Sequence, residues 1–291
     1  MRHAGVMGYN KVVLSIKVAP LKKLQITTDM LLKENRGKGS SWMETYLDAS
    51  IFRAVDRAQD VVTLGVGTLR SGIFNNFGTS TADEACMLRS LERSGLAEAR
   101  FVLCPVFLNR HFFLCALQVR APVCDANAHC TLPEVMEKIA ENPLARHAHY
   151  GDIISKIGSF LDTNSATGLA NTAFLLNSLP NYDRESVGAT FARFIDIAER
   201  FYSHKRGDQT TFKREIPPCP VQPIGSNACG PATTLFAKMI AQHTVALRTG
   251  KTTMASLFDP SKFDNPGAAY SAQRDESNTD IDNLIIESDS K

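Results

Sequence analysis

Cys229 stands at the start of a helical segment, and the chemistry it offers is that of a thiolate nucleophile. The local sequence is Val221-Gln222-Pro223-Ile224-Gly225-Ser226-Asn227-Ala228-Cys229-Gly230-Pro231-Ala232, and a long periodic segment follows from Thr233 to Thr249. A cysteine on the first turn of a helix faces unpaired backbone N–H groups and the positive end of the macrodipole. Both favour thiolate, the nucleophilic form. Such a nucleophile needs a base that can later protonate the leaving group. His243, the one histidine after Cys229, lies fourteen residues on. That is about 20 Å along the same helix at 1.5 Å per residue, out of reach. The base is therefore expected upstream, in the order His, acid, Cys.

The upstream candidate is His111. The run Val102 to Val119 reads as two apolar strands broken at Asn109-Arg110, and His111 opens the second. Asp125 follows after the turn signal Ala121-Pro122. A strand, a turn and a short returning strand would bring its carboxylate beside His111, to hold the imidazole tautomer and stabilise the imidazolium. A lone histidine bordering an apolar strand is more often structural, and so is a lone cysteine before a helix. It is the combination of His111, Asp125, Gln222 and Cys229 that points to catalysis.

These pieces resemble the ubiquitin-like-protein proteases, the SUMO-protease type of cysteine peptidase called clan CE. The family pattern is Pro-x-x-Leu-Asn, then His-Trp, an apolar strand, an Asp, and Gln-x(5)-Asp-Cys-Gly opening a helix. Here it falls on Pro105, Leu108-Asn109, His111, Asp125, Gln222 and Cys229-Gly230. Upstream, Leu24 to Leu32 and then Ser41-Trp42-Met43-Glu44-Thr45-Tyr46-Leu47-Asp48 resemble the family's opening strand and its Trp-Leu-Asn-Asp helix. The sequence departs in having Phe112 for Trp and Ala228 for Asp. The resemblance implies an α+β, papain-like clan CE core: a central mixed sheet flanked by helices, plus a helical insertion. It implies acyl transfer to water. Cys229 would attack a Gly-terminated tail joined to a lysine amine, with His111 as base and acid and Asp125 orienting it. The Gln222 amide and the Cys229 N–H would hold the oxyanion. Trp42 and Phe112 would line the cleft for the extended tail. The expected partner is ubiquitin or a ubiquitin-like protein and its conjugates, and no metal or organic cofactor is needed. Such a protein would act as a monomer in the cytosol or nucleus of a eukaryotic cell, a host cell if it is a secreted bacterial effector. Two other readings stand beside this one. YopJ-type acetyltransferases use a similar His–acid–Cys set, and a binding module could keep the fold without catalysis.

Composition sets the outer bounds. The chain has 291 residues, 44% hydrophobic and 21% charged, with a formal net charge of +2. Near neutrality, and with no long Lys/Arg run, nothing calls for nucleic acid. No uncharged apolar stretch of about 18 residues is present, so no membrane span is expected. The N-terminus lacks the apolar core of a signal peptide. Seven cysteines, odd in number and without a Cys-x-x-Cys pair, fit reduced thiols better than disulfides or structural zinc.

The expected organisation is one protease domain over residues 1–258 and a flexible, acidic, polar tail over 259–291. Val12 to Val18 alternates like a strand, Trp42 to Ala58 and Thr81 to Ala97 read as helices, and Val61 to Val66 as a strand. Leu132–Glu141, Gly151–Leu161, Gly168–Leu179 and Arg184–His204 are candidate helices separated by Pro and Asn signals. They form the expected insertion, about 131–207. Part of it is expected beside the cleft, against the body of the substrate. Thr210 to Ile216 alternates as a strand, and Pro217-Pro218-Cys219-Pro220 is a stiff approach to Gln222.

Overall fold

The two apolar runs around Asn109-Arg110 become the middle of the sheet. The computed structural model describes residues 12–18, 22–27, 40–55, 60–66, 81–97, 99–119, 171–207 and 209–289, with residue 58 and residues 68–70. β1 (Val12–Val18) and β2 (Lys22–Thr27) form a separate antiparallel pair. The remaining strands are β3 (Val61–Thr63), β4 (Phe101–Leu108), β5 (His111–Gln118), β6 (Thr172–Leu176) and β7 (Lys213–Glu215). They form one sheet in the order β3-β4-β5-β6-β7. The inner pairs β4–β5 and β5–β6 are antiparallel and the outer pairs β3–β4 and β6–β7 parallel. With helices on both faces this is the expected α+β class with a central mixed sheet.

Leu108 pairs with His111 across a two-residue turn whose φ angles are 48° at Asn109 and 65° at Arg110. Two successive left-handed residues are what a tight hairpin of right-twisted strands requires. Asn tolerates that region; Arg reaches it at some cost. Pro105 sits opposite Leu114, three pairs from the closing pair. Antiparallel bonds alternate, so this pair exchanges none and the missing Pro N–H costs no bond to β5. On the other side β3 stops at Thr63, opposite Leu103.

Both faces of β4 and β5 are buried, which explains their unbroken apolar sequence. Val102, Cys104, Val106, Phe113, Cys115 and Leu117 face a core shared with α2 (Thr81–Arg93) and α3 (Arg184–Arg206). Phe101, Leu103, Phe107, Phe112, Leu114 and Ala116 face α1 (Ser40–Val55) and α4 (Cys229–Gln242). Each fully buried large apolar side chain contributes roughly 1.5–3 kcal/mol. The chain continues through α5 (Thr244–Arg248) and α6 (Met254–Leu257) to α7 (Pro266–Asp289). Among the described residues no helix is long and apolar enough to cross a membrane.

Three expectations are corrected. The expected helix Gly168–Leu179 contains a strand, β6, because Thr172-Ala173-Phe174-Leu175-Leu176 fills the place beside β5 with both faces buried. The expected insertion is therefore not a helical block throughout: its second half supplies β6 and α3 to the core, while residues 120–170 lie outside the described residues. The expected tail contains a helix, α7, whose inward stripe is Tyr270, Gln273, Ser277 and Ile281, all at most 4% exposed. Half of that stripe is polar, so its periodicity does not register as apolar. The periodic segment after Cys229 is also two helices, since His243 ends α4 and precedes α5.

Asp48 on α1 is buried, and its Oδ1 accepts the Val66 N–H at 2.8 Å. Burial raises its pKa to about 7; the Val66 bond opposes this and Glu44 adds to it. A carboxyl that binds its proton more tightly when folded stabilises the fold fully below its unfolded pKa. It loses that contribution as pH rises toward 7. Across pH 4 to 7 the loss amounts to roughly 4 kcal/mol, at 1.36 kcal/mol per unit. Asp48→Asn keeps an acceptor for Val66 and carries no charge. Its unfolding free energy, measured in urea, is expected to lack this slope and to exceed wild type at pH 8. Identical pH dependence in the two proteins would contradict this account of Asp48.

Candidate active site

The ends of β5 and β6 and the entrance to α4 meet at one edge of the sheet. His111 opens β5 and is 2% exposed. Asn177 directly follows β6, and its Oδ1 lies 2.8 Å from His111 Nε2. The same oxygen accepts the backbone N–H of Leu179 at 2.8 Å. A backbone N–H only donates, so the atom facing His111 is the amide oxygen and Nε2 carries the hydrogen. Nδ1 then presents its lone pair. Nδ1 is buried and has no hydrogen-bond partner. Burial lowers the His111 pKa below the usual 6.5, with the Asn177 bond opposing the shift. The ring is a neutral base in a fixed tautomer.

The next residue, Ser178, ties in the loop that leads to α4. Its carbonyl accepts the Gln222 N–H at 3.0 Å, and its hydroxyl donates to Gln222 Oε1 at 2.9 Å. Gln222 Nε2 donates to the Ser226 carbonyl at 3.0 Å. The amide has a second Nε2 hydrogen, and the Ser178 bond fixes which way it points. Pro223 to Ser226 forms a turn closed by Ser226 N–H to Pro223 O at 3.1 Å, with Gly225 at φ 74°. Glycine there supplies the left-handed residue of the turn.

Cys229 is the first residue of α4 and half-buried. Its N-cap, Ala228, offers no side-chain acceptor, so the first-turn N–H groups receive no side-chain cap. A Cβ on Gly230 would lie 3.7 Å from Phe112 Cδ2, which places the first turn of α4 on the β5 residue next to His111. Alternation sends the His111 and Phe112 side chains to opposite faces of β5, and α4 packs on the Phe112 face. No hydrogen bond joins the thiol and the imidazole in this structure.

Of the other expected site residues, Asp125 lies outside the described residues; among the described residues, Asn177 is the partner of His111 Nε2. Phe112 is 6% exposed, stacked on Phe107 at 4.4 Å. Its ring packs in the core beside the first turn of α4. Trp42 lies on α1, with its side chain outside the described residues. α3 covers the face opposite α4; residues 131–170 of the expected insertion, and the substrate contact expected from them, lie outside the described residues. Sequence reasoning missed Asn177, Ser178 and Tyr182. The signal available was the short apolar run Thr172–Leu176 ending in Asn177-Ser178-Leu179-Pro180, a strand followed by a turn.

α7 braces the loop. Tyr270 is buried and its hydroxyl donates to Pro220 O at 2.5 Å. Arg274 Nη2 donates to Asn227 O at 2.9 Å. Gly267 lies against Pro223, where a Cβ would come within 3.0 Å of Cγ.

No protein-family model matches the sequence, and no curated protein matches it. Solved structures that are similar include a de-sumoylating protease, at 12% identity and TM-score 0.46, covering 94% of this chain and 89% of that one. Another is the SUMO protease Ulp1 with its catalytic cysteine oxidised to a sulfinic acid, at 12% identity and TM-score 0.48, covering 96% and 91%. A third is the C-terminal Ulp1 protease domain in complex with Smt3, the yeast orthologue of SUMO, at 12% identity and TM-score 0.43, covering 87% and 89%.

Proposed function

We propose that this chain is a cysteine-type peptidase that hydrolyses the isopeptide or C-terminal peptide bond of ubiquitin or a ubiquitin-like modifier, in the cytosol or nucleus of a eukaryotic cell. The observation that carries the chemistry is the His111–Asn177 pair, with Nδ1 left as a buried acceptor without a partner. The substrate class rests on the resemblance of the motifs around His111, Gln222 and Cys229.

The reaction runs in two halves. His111 Nδ1 takes the Cys229 proton, and the thiolate attacks the carbonyl carbon of the terminal glycine. The oxyanion is held by the free Gln222 Nε2 hydrogen and the Cys229 N–H. The amine leaves with the proton from His111, and a thioester remains on Cys229. Water, deprotonated by His111, then splits the thioester and releases the carboxylate. Asn177 holds the tautomer throughout and adds no negative charge of its own. Catalytic hydrogen bonds are often loose before substrate binds and tighten in the complex, which accommodates the unmade thiol–imidazole bond.

The test is cleavage of a modifier extended past its Gly-Gly end by an amide-linked reporter, across a panel of ubiquitin and its relatives. Reporter release after the second glycine is expected for at least one. No release from any member removes the reading.

A further inference from the structure

The imidazole of His111 has a neighbour that the reaction above does not use. The Tyr182 ring lies 5.1 Å from the His111 ring, centroid to centroid, tilted by 53°. Tyr182 is 39% exposed while His111 is 2% exposed. The tyrosine is therefore the layer between the imidazole and solvent at this edge. Two bonds fix it. Its backbone N–H donates to Leu179 O at 3.0 Å, closing a turn with Pro180 inside. Its hydroxyl donates to the carbonyl of Asn109, in the left-handed turn that precedes His111. The next residue, Asp183, caps α3 with φ 41° and accepts from the Asn109 side chain. The strained turn before His111 and the strained cap before α3 thus hold one another, with Tyr182 between them and the imidazole beneath.

We propose that Tyr182 is a positioning residue for His111: its ring closes the solvent side of the imidazole, and its hydroxyl fixes the turn that aims the imidazole at Asn177. This rests on the peptidase reading for its consequence in catalysis, but not for its effect on the ring. The groups facing His111 are Asn177 from the end of β6, Phe113 from β5 and Tyr182 from the approach to α3. Of the charged side chains nearby, Asp183 is engaged by Asn109 and Ser186, and Arg184 by Pro180 O and Asn181. Arg110, in the turn, is exposed. None of these bonds is made by the Tyr182 side chain.

The experiment follows the His111 ring protons by NMR titration in wild type, Tyr182→Phe and Tyr182→Ala, and measures the pH dependence of kcat/KM in the same proteins. Removing the ring admits water to the imidazole, and hydration favours the charged form. In Tyr182→Ala the His111 midpoint is expected to rise toward the ordinary histidine range, with the acid limb of kcat/KM rising alongside. Loss of orientation should lower kcat about tenfold, with KM changing far less. Tyr182→Phe keeps the cover and removes the tether. Its midpoint should stay at the wild-type value while kcat falls a few-fold. An unchanged midpoint in Tyr182→Ala would overturn the proposal, and so would an unchanged kcat in both variants. The titration needs no substrate, so a chain without peptidase activity would sink the functional reading and still leave the effect on the ring measurable.

Discussion

Cys229→Ala is expected to abolish hydrolysis of a modifier–reporter amide while leaving the fold intact, and His111→Ala to slow it by about 10²–10⁴. Alanine at the first position of α4 keeps good helix propensity and removes only a half-buried thiol. Three of the other described cysteines, Cys104, Cys115 and Cys219, are held as buried thiols and are poor substitutes as nucleophile. Cys104 and Cys115 are fully buried on paired strands, and burial pushes both thiols well above the ordinary range. Cys219 is pushed up to about 12 by burial, partly offset by a backbone bond at Asn177. The histidine variant separates base from nucleophile: Cys229 stays in place but loses the acceptor for its proton. Circular dichroism of both variants should match wild type. Wild-type turnover in Cys229→Ala, with the protein folded, would end the assignment.

Tyr270→Ala is expected to cost about 3–5 kcal/mol of unfolding free energy, the range for truncating a buried aromatic side chain. Tyr270 is 1% exposed, touches Phe236 of α4 edge-on at 6.3 Å between centroids, and ties α7 to Pro220. Around it, Tyr46 of α1 donates to Asn278 at 2.7 Å, and Lys238 of α4 pairs with Glu276 at 2.5 Å. The second bond is a partly exposed ion pair and contributes little, so the ring carries most of the effect. Tyr270→Phe isolates the hydroxyl: it leaves a buried acceptor unpaired, at about 1–3 kcal/mol. Denaturant unfolding reads both. A loss below about 1 kcal/mol in Tyr270→Ala would mean that α7 is not part of the stable body.

The parts of this protein that the sequence made legible are those where one pattern dominated. The runs on either side of Asn109-Arg110 were unbroken and apolar, the signature of strands covered on both faces. Cys229-Gly230 preceded a strong helical period, and Arg184–His204 carried a clean one. The parts that were not legible involve competing or polar signals. Thr172–Leu176 is short, and its apolar run continues a helical spacing on the upstream side; only its place between β5 and β7 makes it a strand. Asn177 is not legible because a carboxylate is the usual partner of a catalytic histidine, whereas the bond to His111 requires only an acceptor held in position. α7 escaped because Gln273 and Ser277 take half of its buried stripe and bond to each other at 3.3 Å. The composition of that stretch reads as a solvated tail, but its register against α1 and α4 buries it.

The central claim is that Cys229, served by His111, is a nucleophile for a Gly-terminated modifier. Full-length ubiquitin-like proteins whose terminal carboxylate is replaced by a thiol-reactive electrophile test it most directly. Intact mass should rise by one modifier for at least one member of the panel. Peptide mapping should place the adduct on Cys229, and His111→Ala should slow its formation. Capture at Cys86 or another cysteine, or no capture by any modifier alongside acetyl transfer from acetyl-CoA, would contradict the account.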